Sequence, residues 1–585
     1  YKQFGITLIV AIAISAVNAL TLSPVLCALF LKPNHNDKAY HSKNFVQKFY
    51  HKFNIAFRAT TNRYGNLFVK LLRHKWITGG IIIASIVIIY FVNANTPKGF
   101  VPSEDRGIIF TNVELPPGTS LERTFAVMQE LQTKAKKQIP AIEFVTFNAG
   151  SSFFSGAGGN CGLAFVRLKP FEQRDPHKEN VDAIIKQLFG VAASIPEAKI
   201  VFFNAASVPG FGNNAGFEVQ LLDKTGGDIN KFVNVMNDFI KKLNERPEIQ
   251  YVQTPLNINY PQYELNINVP RAAEVGVSVS DILSTLQGYI GGVYAADFSK
   301  YGQQYRVMVQ AFPDARTDAN SLNQLYVRTS SGAMSPIAQF VTLKRIYGPQ
   351  SINRFNLYSS VKLTGANAEG FSTGDALKAV QEVVTASLPS GYGVDYSGLT
   401  RQEVNSSSQT WVIFVLSLVF VYFILSAQYE SFLLPLSVII SLPCGIMGAY
   451  IGQNLMGLEN NIYFQIALIM LVGLLAKNAI LIVEFAIQRR HHGESLSMAA
   501  INAAKARLRP ILMTSFAFIF GLLPLVFATG IGAVGNRSIA TGAAIGLLIG
   551  TIIGLMVIPV LFVIFQHLQE KIKPLKKSST QKLAE

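Results

Sequence analysis

The chain has 585 residues, of which 50% are hydrophobic and 15% charged, and its net charge is +16. This composition excludes an ordinary small soluble domain and indicates a membrane protein with more than one domain. Three scattered cysteines exclude a disulfide framework and a cysteine zinc site. The sequence begins with Tyr1, directly before an apolar stretch and without a secretory signal, so we expect a fragment whose N-terminal part is absent.

Seven apolar stretches are long enough, or nearly so, to cross a bilayer. They lie at residues 4–30, 76–92, 411–427, 432–453, 463–487, 510–528 and 539–565. The connection at 31–75 carries ten Lys and Arg against one Asp, and the tail at 566–585 is also basic. The positive-inside rule places these segments in the cytoplasm. Much of the net positive charge therefore lies in segments assigned to the cytoplasm and reflects membrane topology. We expect no nucleic-acid binding.

The connection 31–75 also predicts a helix along the membrane surface. Phe45, Phe49, Phe53 and Phe57 recur at helical spacing among its basic residues, which is typical of an amphipathic interfacial helix. We interpret it as a surface anchor without an activity of its own.

Residues between the second and third spans fall on the outer side and predict an α+β region. "GIIFTNVELP", "SLERTFAVMQELQTKAKKQI" and "EFVTFNAG" have the pattern strand, helix, strand, and "GLAFVRLKP", "ENVDAIIKQLFGVAASI" and "KIVFFN" repeat it. This is the split βαβ arrangement. A second passage starts at "GFEVQLLD" and a half-unit at "SVKLTGANAEGF". We therefore expect open-sheet modules at 98–224 and 326–405, a β-rich insertion at 225–325, and five spans within 406–565.

Lys477 stands near the middle of the fifth span, in "LVGLLAKNAILIVEFA". A charge at mid-membrane costs about 2.5–3.5 kcal/mol on insertion scales, so we expect it to face a protein group or an aqueous path. Snorkelling is the alternative, but it favours helix ends. Glu484, on the same helical face, is either functional or solvated near the cytoplasmic end. No acidic residue stands at matching depth in the other spans, so the partner carboxylate is expected in the absent portion.

Two residues of the next predicted helix are candidates for the same site. Thr514 lies inside the apolar part and Arg507 at its cytoplasmic edge. The threonine hydroxyl can bond to its own helix carbonyl, or an antiparallel neighbour can bring it to Lys477. Both alternatives stay open at this point.

The outer region combines phenylalanine with glycine. "FNAGSSFFSGAGGNCGLAF" places Phe153 and Phe154 in a glycine-rich loop and Phe165 on the next strand, and "IVFFN" adds Phe202 and Phe203. Core packing explains strand phenylalanines, but adjacent ones in a glycine loop are typical of an adaptable pocket for large apolar ligands. No Ser-His-Asp set, HExxH motif or phosphate loop is recognisable, so an enzyme is not expected.

These segments together resemble the C-terminal half of the resistance-nodulation-division (RND) transporters, in the hydrophobe/amphiphile multidrug efflux branch. The resemblance covers nearly the whole chain and is carried by "GLLAKNAILIVEFA", "RLRPILMTSFAFIFGLLPL", "GFVPSEDRG" and "LTLSPVLCALFLKP", among others. It implies an α-helical transmembrane bundle of twelve spans, seven of them here. A large α+β periplasmic insertion then holds ferredoxin-like βαβ porter subdomains and a β-rich funnel, or docking, subdomain.

The resemblance also implies an activity and partners. Such proteins look like homotrimers in the inner membrane of Gram-negative bacteria, driven by protons without a cofactor or a bound metal. They expel hydrophobic and amphiphilic small molecules from the periplasm or the outer leaflet of the membrane lipid. A periplasmic adaptor (membrane fusion) protein and an outer-membrane channel protein complete the route.

Individual roles follow from the same resemblance. The implied proton relay comprises Lys477, Asn478, Glu484, Arg507 and Thr514. The implied substrate-binding residues are Phe153, Phe154, Phe165, Phe202 and Phe203. The loop 151–159 matches a glycine loop between two drug pockets, and its implied glycines are Gly156, Gly158 and Gly159, with Gly150 directly before it. This loop lacks the family's arginine and is preceded by an extra residue, and the family's aspartate pair is not in the chain, so we expect no transport by the chain alone.

Two other functions remain open. A heavy-metal RND exporter calls for thioether ligands along the route, whereas Met128, Met236, Met308 and Met334 are scattered over the outer region. An RND-like secretion accessory or scaffold would bind polypeptide with its outer modules, and that role requires no aromatic pocket beside a glycine loop.

Overall fold

The computed structural model describes residues 2–30, 45–154, 156–176, 178–208, 210–212, 216–368 and 370–572. Two parts of the predicted cytoplasmic segments, 31–44 and 573–585, lie outside the described residues, as does Ser155 of the glycine loop. Within the described ranges, seven candidate spans are helical, long enough and apolar enough to cross a membrane. The seven predicted spans are thus confirmed. The chain is a multi-pass helical membrane protein.

The chain enters through two helices that together form the first candidate span, α1 (Lys2–Leu20) and α2 (Leu22–Phe30). Thr21 separates them, and its hydroxyl donates to the Val17 carbonyl at 2.7 Å. Pro24 sits in the first turn of α2, where a missing N–H is tolerated. The predicted surface helix follows as α3 (Phe45–Arg73), and α4 (Lys75–Asn95) is the second span.

The first outer module is the predicted split βαβ unit. Its elements are β1 (Ile108–Glu114), α5 (Leu121–Gln138), β2 (Ile142–Ser152), β3 (Gly156–Leu168), α6 (Val181–Ala192) and β4 (Lys199–Asn204). The antiparallel sheet has the order β2-β3-β1-β4. Apolar residues of α5 and α6, such as Val127 and Leu188, pack with Ile109 and Val113 of β1 in one core. One sheet face is therefore covered by helices.

The second module is formed by two separate stretches of chain. The first stretch comprises β5 (Phe217–Asp223), α7 (Ile229–Asn244) and β6 (Ile249–Gln253). An insertion follows, with β7 (Tyr260–Ile267), α8 (Val269–Glu274), α9 (Val279–Leu286), β8 (Val293–Lys300), β9 (Gln303–Val309), β10 (Tyr326–Arg328), β11 (Met334–Pro336) and β12 (Val341–Gly348). The second stretch comprises β13 (Asn353–Phe355), β14 (Tyr358–Asn367), α10 (Thr373–Ser387) and β15 (Tyr392–Tyr396).

The insertion lies later in the chain than the expected range 225–325. Leu221 of β5 lies opposite Val361 of β14 and Val394 of β15, and β6 also pairs with β14. Residues 217–253 therefore belong to the second module. Strand β7 pairs with β12 and closes the base of the insertion. The pairing partners are far apart in sequence, so strand patterns alone did not locate the boundary.

The remaining spans form a helical bundle. Its helices are α11 (Gly398–Tyr429), α12 (Leu434–Ile439), α13 (Leu442–Leu455), α14 (Ile462–His491), α15 (Leu496–Val526) and α16 (Ala533–Ile572). Helix α16 packs against α13, α14 and α15. The α13–α16 contact is lined by glycines such as Gly445, Gly546 and Gly550, which let the backbones approach closely. Helix α3 joins the bundle through Tyr64, whose hydroxyl donates to the Leu555 carbonyl at 2.6 Å.

A partly buried acidic group lies where the second module meets the bundle. Thr373 Oγ1 donates to Glu403 Oε1 at 2.9 Å, at the start of α11 and outside the third span. Burial raises the pKa of Glu403 to about 7, with the nearby Glu459 adding to the effect and the Thr373 hydrogen bond opposing it. Burial, with Asp375 close by, also raises the pKa of Glu459.

We expect Glu403→Gln to become more stable than the parent chain as pH rises. Since the folded state binds the Glu403 proton more tightly than the unfolded state, the parent loses stability between pH 4.5 and about 7. Above that window the variant should be favoured by at most about 3 kcal/mol, and the two should converge below it. Thermal unfolding in detergent across this range checks the result, with the exposed Glu382→Gln as control. Parallel pH profiles for parent and Glu403→Gln would contradict it.

Candidate functional site

A row of phenylalanines crosses the first sheet on the face away from α5 and α6. Phe110 of β1 lies opposite Phe165 of β3 and Phe203 of β4. The ring centroids are 5.3 and 5.9 Å apart, and both pairs meet edge-to-face. Side chains alternate between the faces of a strand, so Ile109 packs under the helices while Phe110 faces the other way.

The tip of the β2–β3 hairpin places two more rings over this row. Phe153 stacks on Phe110 at 5.0 Å and meets Phe165 and Phe203 edge-to-face at 5.7 and 5.6 Å. Phe154 lies 5.4 Å from Phe203. These separations fall within the range where aromatic pairs attract. We call these five rings the phenylalanine cluster. Phe203 is buried, Phe165 is exposed, and the other three are partly exposed.

Asn112 holds the loop that carries these two rings. Its Oδ1 accepts hydrogen bonds from Ser152 Oγ at 2.8 Å and from the Phe153 N–H at 3.0 Å. Its Nδ2 donates to Glu114 Oε1 at 3.3 Å, and the Phe154 N–H donates to Ser152 Oγ at 3.1 Å. Sequence reasoning missed Asn112 and Phe110, although the strand alternation in "IIFTNVE" places both on the same face.

The predicted loop glycines fall into two groups. Gly150 and Gly156 have φ values of +95° and +82°, a left-handed conformation that glycine adopts without strain. They flank the segment that bears Phe153 and Phe154. Gly158 and Gly159 lie further along β3, where the Gly159 carbonyl accepts from Thr124 Oγ1 at 2.6 Å.

Phe202 is not part of the phenylalanine cluster. It is 1% exposed and packs edge-to-face on Phe189 of α6 at 5.3 Å. As the neighbour of Phe203 on β4 it points to the opposite face of the sheet. Phe202 therefore packs in the core of the module and does not line the predicted substrate site.

A small polar cleft adjoins Phe154. A cavity of about 10 Å³ is lined by Asn112, Glu114, Phe154, Lys199, Val201, Gln253, Thr254, Pro255 and Thr364. It lies between the first and second modules. Gln253 Nε2 and Thr364 Oγ1 are buried without a hydrogen-bond partner among the described residues. Since buried polar atoms are nearly always paired, the cleft offers hydrogen-bonding positions to water or to a polar group of a ligand.

The membrane bundle holds a second polar site beside Lys477. Lys477 itself is exposed on α14 and has no hydrogen bond or ion pair to the part of the chain that the structure describes. The next residue, Asn478, is buried, and its Nδ2 donates to Ser515 Oγ at 3.1 Å and to Thr551 Oγ1 at 3.4 Å. The two hydroxyls lie 3.0 Å apart. This Asn-Ser-Thr triad joins α14, α15 and α16, and no sequence spacing singled out its two hydroxyl residues.

The other predicted relay residues make no hydrogen bond or ion pair with Lys477 in the described part of the chain. Thr514 Oγ1 donates to the Ile511 carbonyl of its own helix at 3.0 Å, which is the local alternative for a threonine in a span. The Arg507 guanidinium stands 4.5 Å over the Phe485 ring. Glu484 accepts from a glutamine one turn later on α14. The relay therefore stays a prediction, of which only Asn478 joins a hydrogen-bonded set that links three spans.

Comparison with known proteins agrees with this architecture. Residues 1–566 match the AcrB/AcrD/AcrF family. The chain is 36% identical over 581 residues to the multidrug resistance protein MdtF of Escherichia coli (strain K12), covering 98% of this chain and 55% of that protein. It is 36% identical over 568 residues to a toluene efflux pump membrane transporter, TtgB, of Pseudomonas putida, covering 96% of this chain and 53% of that protein.

The matches cover nearly all of this chain but only part of each relative. The chain spans about half the length of the curated relatives it matches. Those relatives are efflux transporters rather than enzymes, and the resemblance that the membrane and loop motifs carry is confirmed over almost the whole chain. The chain belongs to the AcrB/AcrD/AcrF family of RND multidrug efflux transporters.

Proposed function

We propose that this chain is part of a proton-driven exporter of hydrophobic and amphiphilic compounds. The observation that supports this most is the phenylalanine cluster beside a polar cleft, because an apolar surface with a few polar groups suits a ligand with a greasy body and a polar head. The names of the relatives, a multidrug resistance protein and a toluene efflux pump, fit the same ligand chemistry.

Lys477 is the proposed link to the proton gradient. Its exposed position leaves the ammonium accessible to a carboxylate of a neighbouring helix that this chain does not include. Protonation of that carboxylate would weaken the attraction and release the lysine, shifting the spans. One elementary charge crossing 100 mV supplies about 2.3 kcal/mol, which is enough to bias states separated by a few kcal/mol.

The proposal extends to the assembly. The exporter works as a homotrimer in the inner membrane of a Gram-negative bacterium, takes substrate from the periplasm or the outer leaflet, and passes it through an adaptor protein to an outer-membrane channel. The insertion from β7 to β12, with its exposed β8–β9 hairpin, is the part of the chain proposed to face the channel.

Phe154→Ala tests the substrate site. In a full-length transporter that contains this sequence, the variant should bind a fluorescent amphiphile about tenfold more weakly, equivalent to about 1.4 kcal/mol, because the ligand loses an aromatic surface. Fluorescence anisotropy titration of purified protein measures the Kd, and dye efflux from cells should fall in parallel.

Phe125→Ala is the matched control for this experiment. Phe125 is an exposed phenylalanine of the same module, and it pairs at 5.3 Å with Phe147 outside the cluster. Its variant should bind the amphiphile as the parent does. Equal affinities for parent and Phe154→Ala, or equal losses in both variants, would refute the substrate site.

A further inference from the structure

We propose that Glu104, a positioning residue between β1 and the second span, transmits movement of helix α16 to the phenylalanine cluster. The inference rests on the proposed export function and adds a mechanical route to it. Glu104, Asp105 and Arg106 lie in the second half of the "GFVPSEDRG" segment, and each holds a different element. We call these three residues the 104–106 junction.

Glu104 binds the start of the last span. Its Oε2 accepts the Gly532 N–H at 2.9 Å and its Oε1 accepts the Gly535 N–H at 3.1 Å. The first N–H groups of a helix have no partner within the helix and carry partial positive charge, so a carboxylate is the favoured acceptor there. Glu104 belongs to a different domain from the helix that it caps. This cap is therefore a tie between the membrane bundle and the outer region.

The same segment is tied to the strand that carries Phe203. The Asn204 side chain donates from Nδ2 to the Glu104 carbonyl at 3.2 Å, and Arg106 Nη1 donates to the Ala206 carbonyl at 3.2 Å. Asn204 is the last residue of β4 and follows Phe203 directly. A displacement of Glu104 therefore reaches a ring of the phenylalanine cluster through one hydrogen bond and one peptide link.

Asp105 fixes the junction within the first module. Its carboxylate accepts two hydrogen bonds from the Arg174 guanidinium, at 3.0 and 3.1 Å, and one from the Val181 N–H at 3.1 Å. The Arg174 side chain is only 3% exposed, and such buried bidentate pairs are geometrically strict. The junction therefore moves with the module as one body.

Helix α16 connects the junction to the Lys477 region. Thr551 of α16 belongs to the triad with Asn478, the residue beside Lys477. Gly535 and Thr551 are separated along the helix by roughly 24 Å, at about 1.5 Å per residue. A shift of the spans around Lys477 would thus displace α16 at Thr551 and, because the helix is continuous, at the Glu104 cap.

The test is Glu104→Gln in a full-length transporter containing this sequence, reconstituted in vesicles with a pH gradient. Glutamine keeps the size but removes the charge and one acceptor oxygen. Dye efflux and dye-stimulated proton flux are measured in the same vesicles and normalised to folded protein. We expect the maximal efflux rate to fall about five- to tenfold, with the dye concentration for half-maximal efflux unchanged and more protons consumed per dye. A cap that is only structural would leave the proton-to-dye ratio unchanged.

Two further variants complete the experiment. Glu197→Gln, which alters an exposed carboxylate of the same module paired with Arg123, is the control and should match the parent. Asn204→Ala removes only the hydrogen bond between the junction and β4. It should lower the maximal efflux rate and raise the proton-to-dye ratio as Glu104→Gln does, and it provides the test if Glu104→Gln folds poorly. If the parent is active and both Glu104→Gln and Asn204→Ala keep the parental efflux rate and proton-to-dye ratio, this inference is overturned and the proposed function is not affected. A parent without proton-driven efflux would overturn the proposed function, and the inference with it.

Discussion

Lys477→Ala is expected to reduce proton-driven dye efflux roughly 50-fold in a full-length transporter containing this sequence. That factor corresponds to the approximately 2.3 kcal/mol that one proton supplies across 100 mV, which would no longer bias the conformations of the protein. The folded structure should persist, because Lys477 has no hydrogen bond or ion pair to the described residues. Efflux from energised vesicles, compared with and without a protonophore, measures the effect.

Lys75→Ala provides the comparison for this result. Lys75 begins α4 at the edge of the bundle and is also exposed, so its loss removes a membrane-flanking charge without touching the proposed switch. We expect parental efflux from that variant. Full protonophore-sensitive efflux by Lys477→Ala would remove the proposed link between this lysine and the gradient.

Gly550→Leu should have the largest effect on stability. A Cβ at Gly550 would stand 2.6 Å from Leu475 Cδ2 and 2.9 Å from the Gly445 backbone Cα. The side chain of Leu475 can rotate but the backbone of α13 cannot, so α13 and α16 must separate. We expect a loss of about 3 kcal/mol or more in the free energy of unfolding. Thermal unfolding of the 585-residue chain in detergent measures it.

The matched substitution is Gly521→Leu on α15. No atom of the described residues lies within 4 Å of a Cβ placed at Gly521, and leucine is the better helix former. That variant should unfold at the parental temperature or slightly above it. If both substitutions have the same effect, the close α13–α16 approach is not what requires glycine at position 550.

Much of the architecture was predictable from local patterns. Long apolar runs located the seven spans, and alternation of strand and helix patterns located the first module, because both signals arise from neighbouring residues. The insertion was harder. The pairing of β5 with β14 and of β7 with β12 joins segments far apart in sequence, and no local pattern indicates which strand is a partner of which.

Only part of the candidate site was predictable, because residue type is visible in the sequence whereas strand pairing is not. Phe153, Phe154, Phe165 and Phe203 stood out by residue type, and the structure brings them together. Phe110 completes the row only through strand register, which single strands do not reveal. The triad hydroxyls of Ser515 and Thr551 look ordinary in the sequence, since serine and threonine in spans often bond only to their own helix.

The divided second module has a consequence for synthesis on the ribosome. Strand β5 emerges long before β14, its central partner, so that sheet cannot close until the entire insertion has been translated. The insertion contains adjacent strands that pair locally, such as β8 with β9, and it can begin folding while β5 and α7 wait with exposed apolar surface. During that interval the exposed apolar surface makes the nascent chain prone to aggregation.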